Sequence, residues 1–432
     1  MTFPELRAAL PERSAVLDFF VNHGYEPARW QDAELVQGGR WSEKQLSVWI
    51  TSRRSTEPVR LDLGSTASIQ AAVRSHLERI RDRPGEGVER RLEEALWDPI
   101  VPHLEGAELV FVSPDSFLAS LPFETLALED GSFAIEHHAF VYLQDLSFLA
   151  QVEPGERPEL DSLLAVGAVD FERRSEESEA EPARAVEASP VRSGLRESWP
   201  PLPATESESR LLFELHEDAF GANGVRLLLQ GAEATEERLK QELQEYTALH
   251  LATHGFFNPE SVRSAWEAAL EQAEATQLGL IRETRQLFGK HPGLLAGLVC
   301  AGASTATPEG RDDGYLTAEE VGWLDLSGVE LVVLSACETA LGRPQSGEGL
   351  MGLRRACRTA GARTVISSLW AVQDESTARL MEDLYRNLLE RGMGRLEALR
   401  QAQLSMLRRS REQYGEALPR TWGAFVLSGE WR

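Results

Sequence analysis

Leu249-His-Leu-Ala-Thr-His-Gly-Phe-Phe257 and Leu331-Val-Val-Leu-Ser-Ala-Cys-Glu-Thr339 are the two stretches that decide how this chain is read. Each is a short apolar run that ends in a reactive side chain, His254 in the first and Cys337 in the second. Such runs, bounded by small residues, fit buried strands of a parallel sheet. Ligands of open α/β sheets gather at the carboxyl ends of strands, so neighbouring strands would present His254 and Cys337 together. A thiol attacks a carbonyl as the thiolate, and histidine is the side chain able to take its proton near neutral pH. Gly255 has no Cβ and lets a backbone N–H approach a developing oxyanion, with the N–H of Cys337 as the second donor. On the residues alone, a cysteine closing an apolar strand is more often an inert core thiol than a nucleophile, so both readings stay open here.

The other candidates are weaker. His250 and His254 lie four apart, which on a helix would suit zinc, but on a strand the spacing separates them by about 13 Å. His250 is therefore expected to be a hydrogen-bonded core residue. Cys300 and Cys357 sit inside apolar or helical patterns and read as packing residues. Gly347-Glu-Gly349 lacks the Gly-Lys-Ser/Thr ending of a phosphate loop and suits a turn beside Cys337. Neither a metal nor a cofactor is called for.

Outward from these stretches, strands alternate with helices. Residues 14–20, 46–51 and 59–63 read as a strand meander, and the apolar spacing from 68 to 103 predicts two amphipathic helices around Pro84-Gly85. Strands are expected at 108–113, 139–143, 163–168, 225–229, 294–301, 364–369 and 422–427. Helices are expected near 205–219, 235–245, 375–391 and 395–412, and Thr317-Ala-Glu-Glu320 has the form of a capping box. Residues 172–203, rich in Glu, Arg, Ser and Pro, read as a flexible acidic loop, and 260–290 as a charged helical insertion. The pattern predicts an α/β fold with a mostly parallel sheet flanked by helices. Its divisions would be 1–84, a lead-in; 85–160, a half without cysteine; and 161–432, the half carrying both reactive residues.

The chain of 432 residues carries a net charge of −25, which disfavours binding to a nucleic-acid backbone. Three cysteines at unrelated spacings suit reduced thiols. The amino terminus has no secretory pattern and no apolar run reaches the length of a membrane span, so a soluble, cytoplasmic protein is expected.

Several blocks together resemble a known family. The His254 and Cys337 stretches, Asp313-Gly-Tyr-Leu-Thr-Ala-Glu-Glu320, Gly361-Ala-Arg-Thr-Val-Ile-Ser-Ser-Leu-Trp-Ala-Val372, Ser113-Pro-Asp115 and Leu121-Pro-Phe-Glu124 are similar to the CHAT domain. This is a caspase- and separase-like cysteine peptidase domain often fused to tetratricopeptide repeats. The resemblance covers roughly residues 85–430 and implies a caspase-like fold with a pseudo-catalytic amino-terminal half. It also implies a His254/Cys337 dyad that cleaves a protein through an acyl-enzyme, with Gly255 and Cys337 forming the oxyanion hole. Asp374 and Glu348 are the candidate substrate-pocket carboxylates, although Ala378 stands where separase-like enzymes place an arginine-binding Asp. No period of about 34 residues marks tetratricopeptide repeats. Activation by a partner protein in a bacterial signalling or defence system is the expectation, with self-cleavage in 172–203 as a further one. The alternative is a catalytically silent scaffold that binds a partner.

Overall fold

The computed structural model describes every residue except Met1, 27–28, 32–33, 38–39, 83–89, 153–158, 173–197, 258–295, 306–312, Ala336, 339–347 and 371–373. The helical insertion expected at 260–290 and most of the loop expected at 172–203 therefore lie outside the described residues. The chain forms two compact units, Met1–Glu156 with Gly394–Arg432, and Arg157–Met393. Among the described residues no helix is long and apolar enough to cross a membrane.

In the first unit the strands run in the order Phe425–Gly429, Ala139–Tyr142, Leu109–Ser113, Ser14–Asn22, Gln45–Ser52, Val59–Ser65. The first three junctions are parallel and the last two antiparallel, so the meander is the edge of a parallel core. Val110, Phe111 and Val112 are all buried, as expected of a strand covered on both faces. Helix Thr66–Asp82 turns Ile69, Val73, Leu77 and Ile80 inward at the predicted spacing. Among the described residues, from 90 onward, a regular second helix does not follow. Glu93–Trp97 is a wide π-type turn and Val101–Leu104 a tight one, because Pro99 and Pro102 cannot donate to a helical ladder.

The Leu121-Pro-Phe-Glu124 block buttresses this sheet. Phe123 N–H donates to the Tyr142 hydroxyl at 2.8 Å, and that hydroxyl donates to Glu124 Oε2 at 2.7 Å. The sequence division grouped 394–432 with the second half, but these residues contact the first unit. Arg411 makes two bonds to the Glu136 carboxylate, 2.7 and 2.8 Å, and Trp422 meets Phe133 edge-on at 5.1 Å.

The second unit is built on five parallel strands in the order Val225–Gly231, Ser162–Val169, Ala248–Leu251, Leu331–Leu334, Thr364–Ser368. Leu164, Val166, Leu249, Leu251, Val332, Leu334 and Val365 alternate onto one face and share a core with Leu239, Leu353 and Cys357 of helices Glu236–Glu242 and Glu348–Thr359. The opposite face meets helices Ala204–Phe220 and Asp374–Tyr385. Gly167 lets the first of these lie close, since a Cβ there would stand 2.3 Å from the Thr205 carbonyl oxygen.

One expectation changes in a way that matters for the site. Residues 249–257 are not a single strand closed by His254. The large-sheet strand stops at Leu251, and a separate four-stranded sheet begins at His254, in the order Tyr315–Thr317, Ala296–Val299, His254–Phe257, Cys337–Glu338. Ala252 N–H donates to Val166 O at 3.0 Å on the large sheet, whereas the Thr253 hydroxyl donates to Val299 O at 2.6 Å on the small one. The chain is handed over between these two residues. The Cys337 stretch breaks in the same way after Leu334.

Candidate active site

His254 and Cys337 are paired in register across a parallel junction, and the next pair is Gly255 with Glu338. Neighbouring strands lie about 4.8 Å apart, so two residues separated by a long stretch of sequence become backbone neighbours. Gly255 is also paired with Leu298 on its other side. Asp374 and Glu348 each open a helix, Asp374–Tyr385 and Glu348–Thr359. The side chains of Cys337, Glu348 and Asp374 lie outside the described residues.

His254 itself lies among the described residues. The ring is 1% exposed, and its Nε2 lies 2.8 Å from the Pro200 carbonyl oxygen. A carbonyl oxygen only accepts, so Nε2 carries the proton and donates it, which makes Nδ1 the basic nitrogen of the neutral ring. Two aromatic rings flank the imidazole, Trp199 at a centroid distance of 5.2 Å and Phe171 at 5.1 Å. Neither they nor Pro200 stood out in the sequence, because Trp199 and Pro200 fall within the 172–203 run read as a loop. Residues 198–203 are irregular and mostly exposed, but Trp199 among them is buried. Trp199-Pro-Pro-Leu-Pro203 differs from the Glu- and Arg-rich run before it, and that apolar change was the available signal.

The Asp313–Glu320 block supports this arrangement. Tyr315 accepts the indole N–H of Trp199 at 3.1 Å, and packs on Phe256 edge-on at 5.4 Å. Gly314 has φ +85°, and a Cβ on it would stand 2.7 Å from Ala303 Cα, so only glycine fits there. Its N–H donates to buried Glu236 Oε2 at 2.8 Å. Thr317 and Glu320 form the expected capping box. Burial opposes the charge on Glu320, but hydrogen bonds from Lys240 and Thr317 outweigh it and hold the carboxyl below its ordinary range. Lys240 Nζ bridges Glu320 at 2.8 Å and Glu236 at 2.6 Å, tying this block to helix Glu236–Glu242.

His250, Cys300 and Cys357 take the structural roles expected of them, whereas Glu348 and Gly349, expected in a turn, begin helix Glu348–Thr359. His250 is buried, with Nε2 2.8 Å from Glu208 Oε1 and Nδ1 3.3 Å from the Tyr385 hydroxyl. Cys300 and Cys357 are buried, and burial pushes the Cys357 thiol up to about 12, so it stays protonated at neutral pH.

Comparison with known proteins follows from this geometry. The sequence profile described as the CHAT domain matches residues 87–430. Tetratricopeptide repeat protein 28 of Mus musculus is 28% identical over 237 residues, which are 54% of this chain and 9% of that protein. The Homo sapiens protein of the same name is 27% identical over 238 residues, 54% of this chain and 8% of the relative. The chain thus spans less than a tenth of either relative. Among solved structures, the Arg-specific cysteine proteinase gingipain R aligns with a TM-score of 0.42 at 10% identity, covering 85% of this chain and 68% of that one. The Saccharomyces cerevisiae separase–securin complex aligns with a TM-score of 0.41 at 13% identity, covering 74% and 15%.

Proposed function

The chain belongs to the CHAT domain family, and on that premise we propose that it is a caspase-like cysteine endopeptidase whose dyad is His254 and Cys337. The observation that carries the proposal is the in-register pairing of these two residues. Residues paired across a ladder share a face of the sheet, which supports the thiol reaching the imidazole. The Nε2–H bond to Pro200 supports Nδ1 as the nitrogen that takes the thiol proton.

In the proposed reaction the Cys337 thiolate forms a bond to a peptide carbonyl carbon, and the C–O π electrons move onto the oxygen. The amides of Gly255 and Cys337 receive that oxyanion. Collapse of the tetrahedral species breaks the C–N bond, and the His254 imidazolium gives its proton to the departing amine. Water, deprotonated by His254, then cleaves the thioester and returns the free thiol. Asp374 and Glu348 are proposed to line the substrate pocket. The target would be a cytoplasmic protein, and the activator a partner protein of a bacterial signalling or defence system.

A second reading, a silent scaffold, is favoured by one observation: His254 is covered by Trp199 and Phe171. A peptide-library cleavage profile, taken with and without the products of neighbouring genes, separates the two. Cleavage that disappears in Cys337→Ala and in His254→Ala supports the peptidase. Undiminished cleavage in either variant would overturn the dyad, and silence of the wild type with its partner bound would favour the scaffold.

A further inference from the structure

Proton transfer by His254 requires two things of its ring: the right nitrogen must be basic, and the ring plane must be held. The Pro200 carbonyl settles the first, since a half-turn of the ring about Cβ–Cγ would break the Nε2 bond. It does little for the second, because a single hydrogen bond at the ring tip tolerates tilting. The two aromatic rings at 5.1 and 5.2 Å, tilted by 43° and 38° to the imidazole, oppose that tilt.

Trp199 joins both functions. Its main chain leads directly into Pro200, whose carbonyl binds Nε2, while its indole lies against the imidazole. It is anchored twice, by its N–H to Ser304 Oγ at 3.3 Å and its indole N–H to the Tyr315 hydroxyl at 3.1 Å. The Ser304 N–H in turn donates to the Phe171 carbonyl at 2.9 Å. Phe171 and Trp199, distant along the chain, are thus held to one point, Ser304.

We infer that Trp199, seconded by Phe171, is a positioning residue that fixes the tautomer and plane of the His254 ring. Its kinetic consequence rests on the peptidase reading, whereas its effect on the ring does not.

The test uses the full chain with 15N-labelled histidine, reading the His254 tautomer by NMR alongside turnover of the best library peptide. Wild type should show His254 as the Nε2–H tautomer. Trp199→Leu should mix the tautomers and lower kcat roughly 10- to 100-fold with KM within about threefold, the pattern of a misaligned group rather than lost substrate binding. Trp199→Phe, which keeps a ring and the backbone, should recover kcat to within about threefold of wild type. Tyr315→Phe removes one anchor of the indole and should shift the tautomer in the same direction, which keeps the test open should Trp199→Leu not fold. An unchanged His254 signature in both Trp199→Leu and Tyr315→Phe overturns the inference, as does a Trp199→Phe variant no better than Trp199→Leu. A wild-type chain without turnover even with its partner bound would count against the peptidase reading alone, since the tautomer shift would still support or overturn the role of Trp199.

Discussion

Replacing Glu208 by alanine should loosen the strand that delivers the chain to His254. Glu208 lies on helix Ala204–Phe220, is 3% exposed, and accepts His250 Nε2–H at 2.8 Å. The other ring nitrogen then accepts from the Tyr385 hydroxyl, so one buried chain of bonds ties two helices to strand Ala248–Leu251. Burial, reinforced by the charge of Glu208, raises the Tyr385 phenol above its ordinary range, so it remains a donor. Truncating Glu208 leaves the buried Nε2–H without its acceptor, a cost of about 1–3 kcal/mol, and lost contacts bring the total to about 2–4 kcal/mol. Two units in one chain make a single unfolding transition a poor measure. Amide hydrogen exchange of residues 248–251 reads the local opening instead, and 2–4 kcal/mol corresponds to a loss of protection of roughly 30- to 700-fold. Glu208→Gln keeps an acceptor oxygen and should lose less than about tenfold. Glu208→Leu combined with His250→Leu removes both partners, and its cost should fall below the sum of the two single changes. A loss under about threefold in Glu208→Ala, or equal losses for Ala and Gln, would refute the reasoning.

Three further outcomes are expected. Burial, with the Arg79 charge second, pushes His76 down to about 3, against an ordinary value of 6.5. Between these values the unfolded chain binds a proton that the folded chain does not, so this contribution is intact above pH 6.5 and falls as pH drops, by about 2 kcal/mol at pH 5. Amide-exchange protection of helix Thr66–Asp82 should therefore fall less from pH 7 to pH 5 in His76→Leu than in wild type, and equal falls would contradict it. Gly314→Ala should lower the amide-exchange protection of Tyr315–Thr317 by roughly 5- to 150-fold, the equivalent of about 1–3 kcal/mol, whereas Gly322→Ala, whose added Cβ meets nothing within 4 Å, should not. Intact mass after prolonged incubation should show cleavage within 172–203 in wild type and none in Cys337→Ala; a wild type that stays whole while cleaving substrate rules the cut out as a requirement.

The strands and helices were legible because a strand covered on both faces shows as a short continuous apolar run, as in Val110–Val112, and a helix as apolar spacing near 3.6, as in Ile69–Ile80. Pro99 and Pro102 are visible in the sequence too, and their missing donors outweigh the apolar periodicity of that segment. The transfer of His254 to a second sheet was not legible. It depends on Ala252 and Thr253 bonding to different neighbours, Val166 and Val299, which no local pattern encodes. Pro200 was hidden for a similar reason, since its role at the site is that of a carbonyl oxygen, and every residue has one. His254 and Cys337 stand out as candidates because their side chains are rare in such runs and carry their own chemistry.

The central claim is that His254 activates Cys337 as a nucleophile, and its most direct measurement needs no substrate. The full chain is treated with limiting iodoacetamide at neutral pH, and the three thiols are mapped by peptide mass spectrometry in wild type and His254→Ala. Alkylation of Cys337 well ahead of Cys300 and Cys357, slowed at least tenfold in His254→Ala, is the expected result. Labelling of Cys337 no faster than of the two buried thiols, or at the same rate without His254, would contradict it.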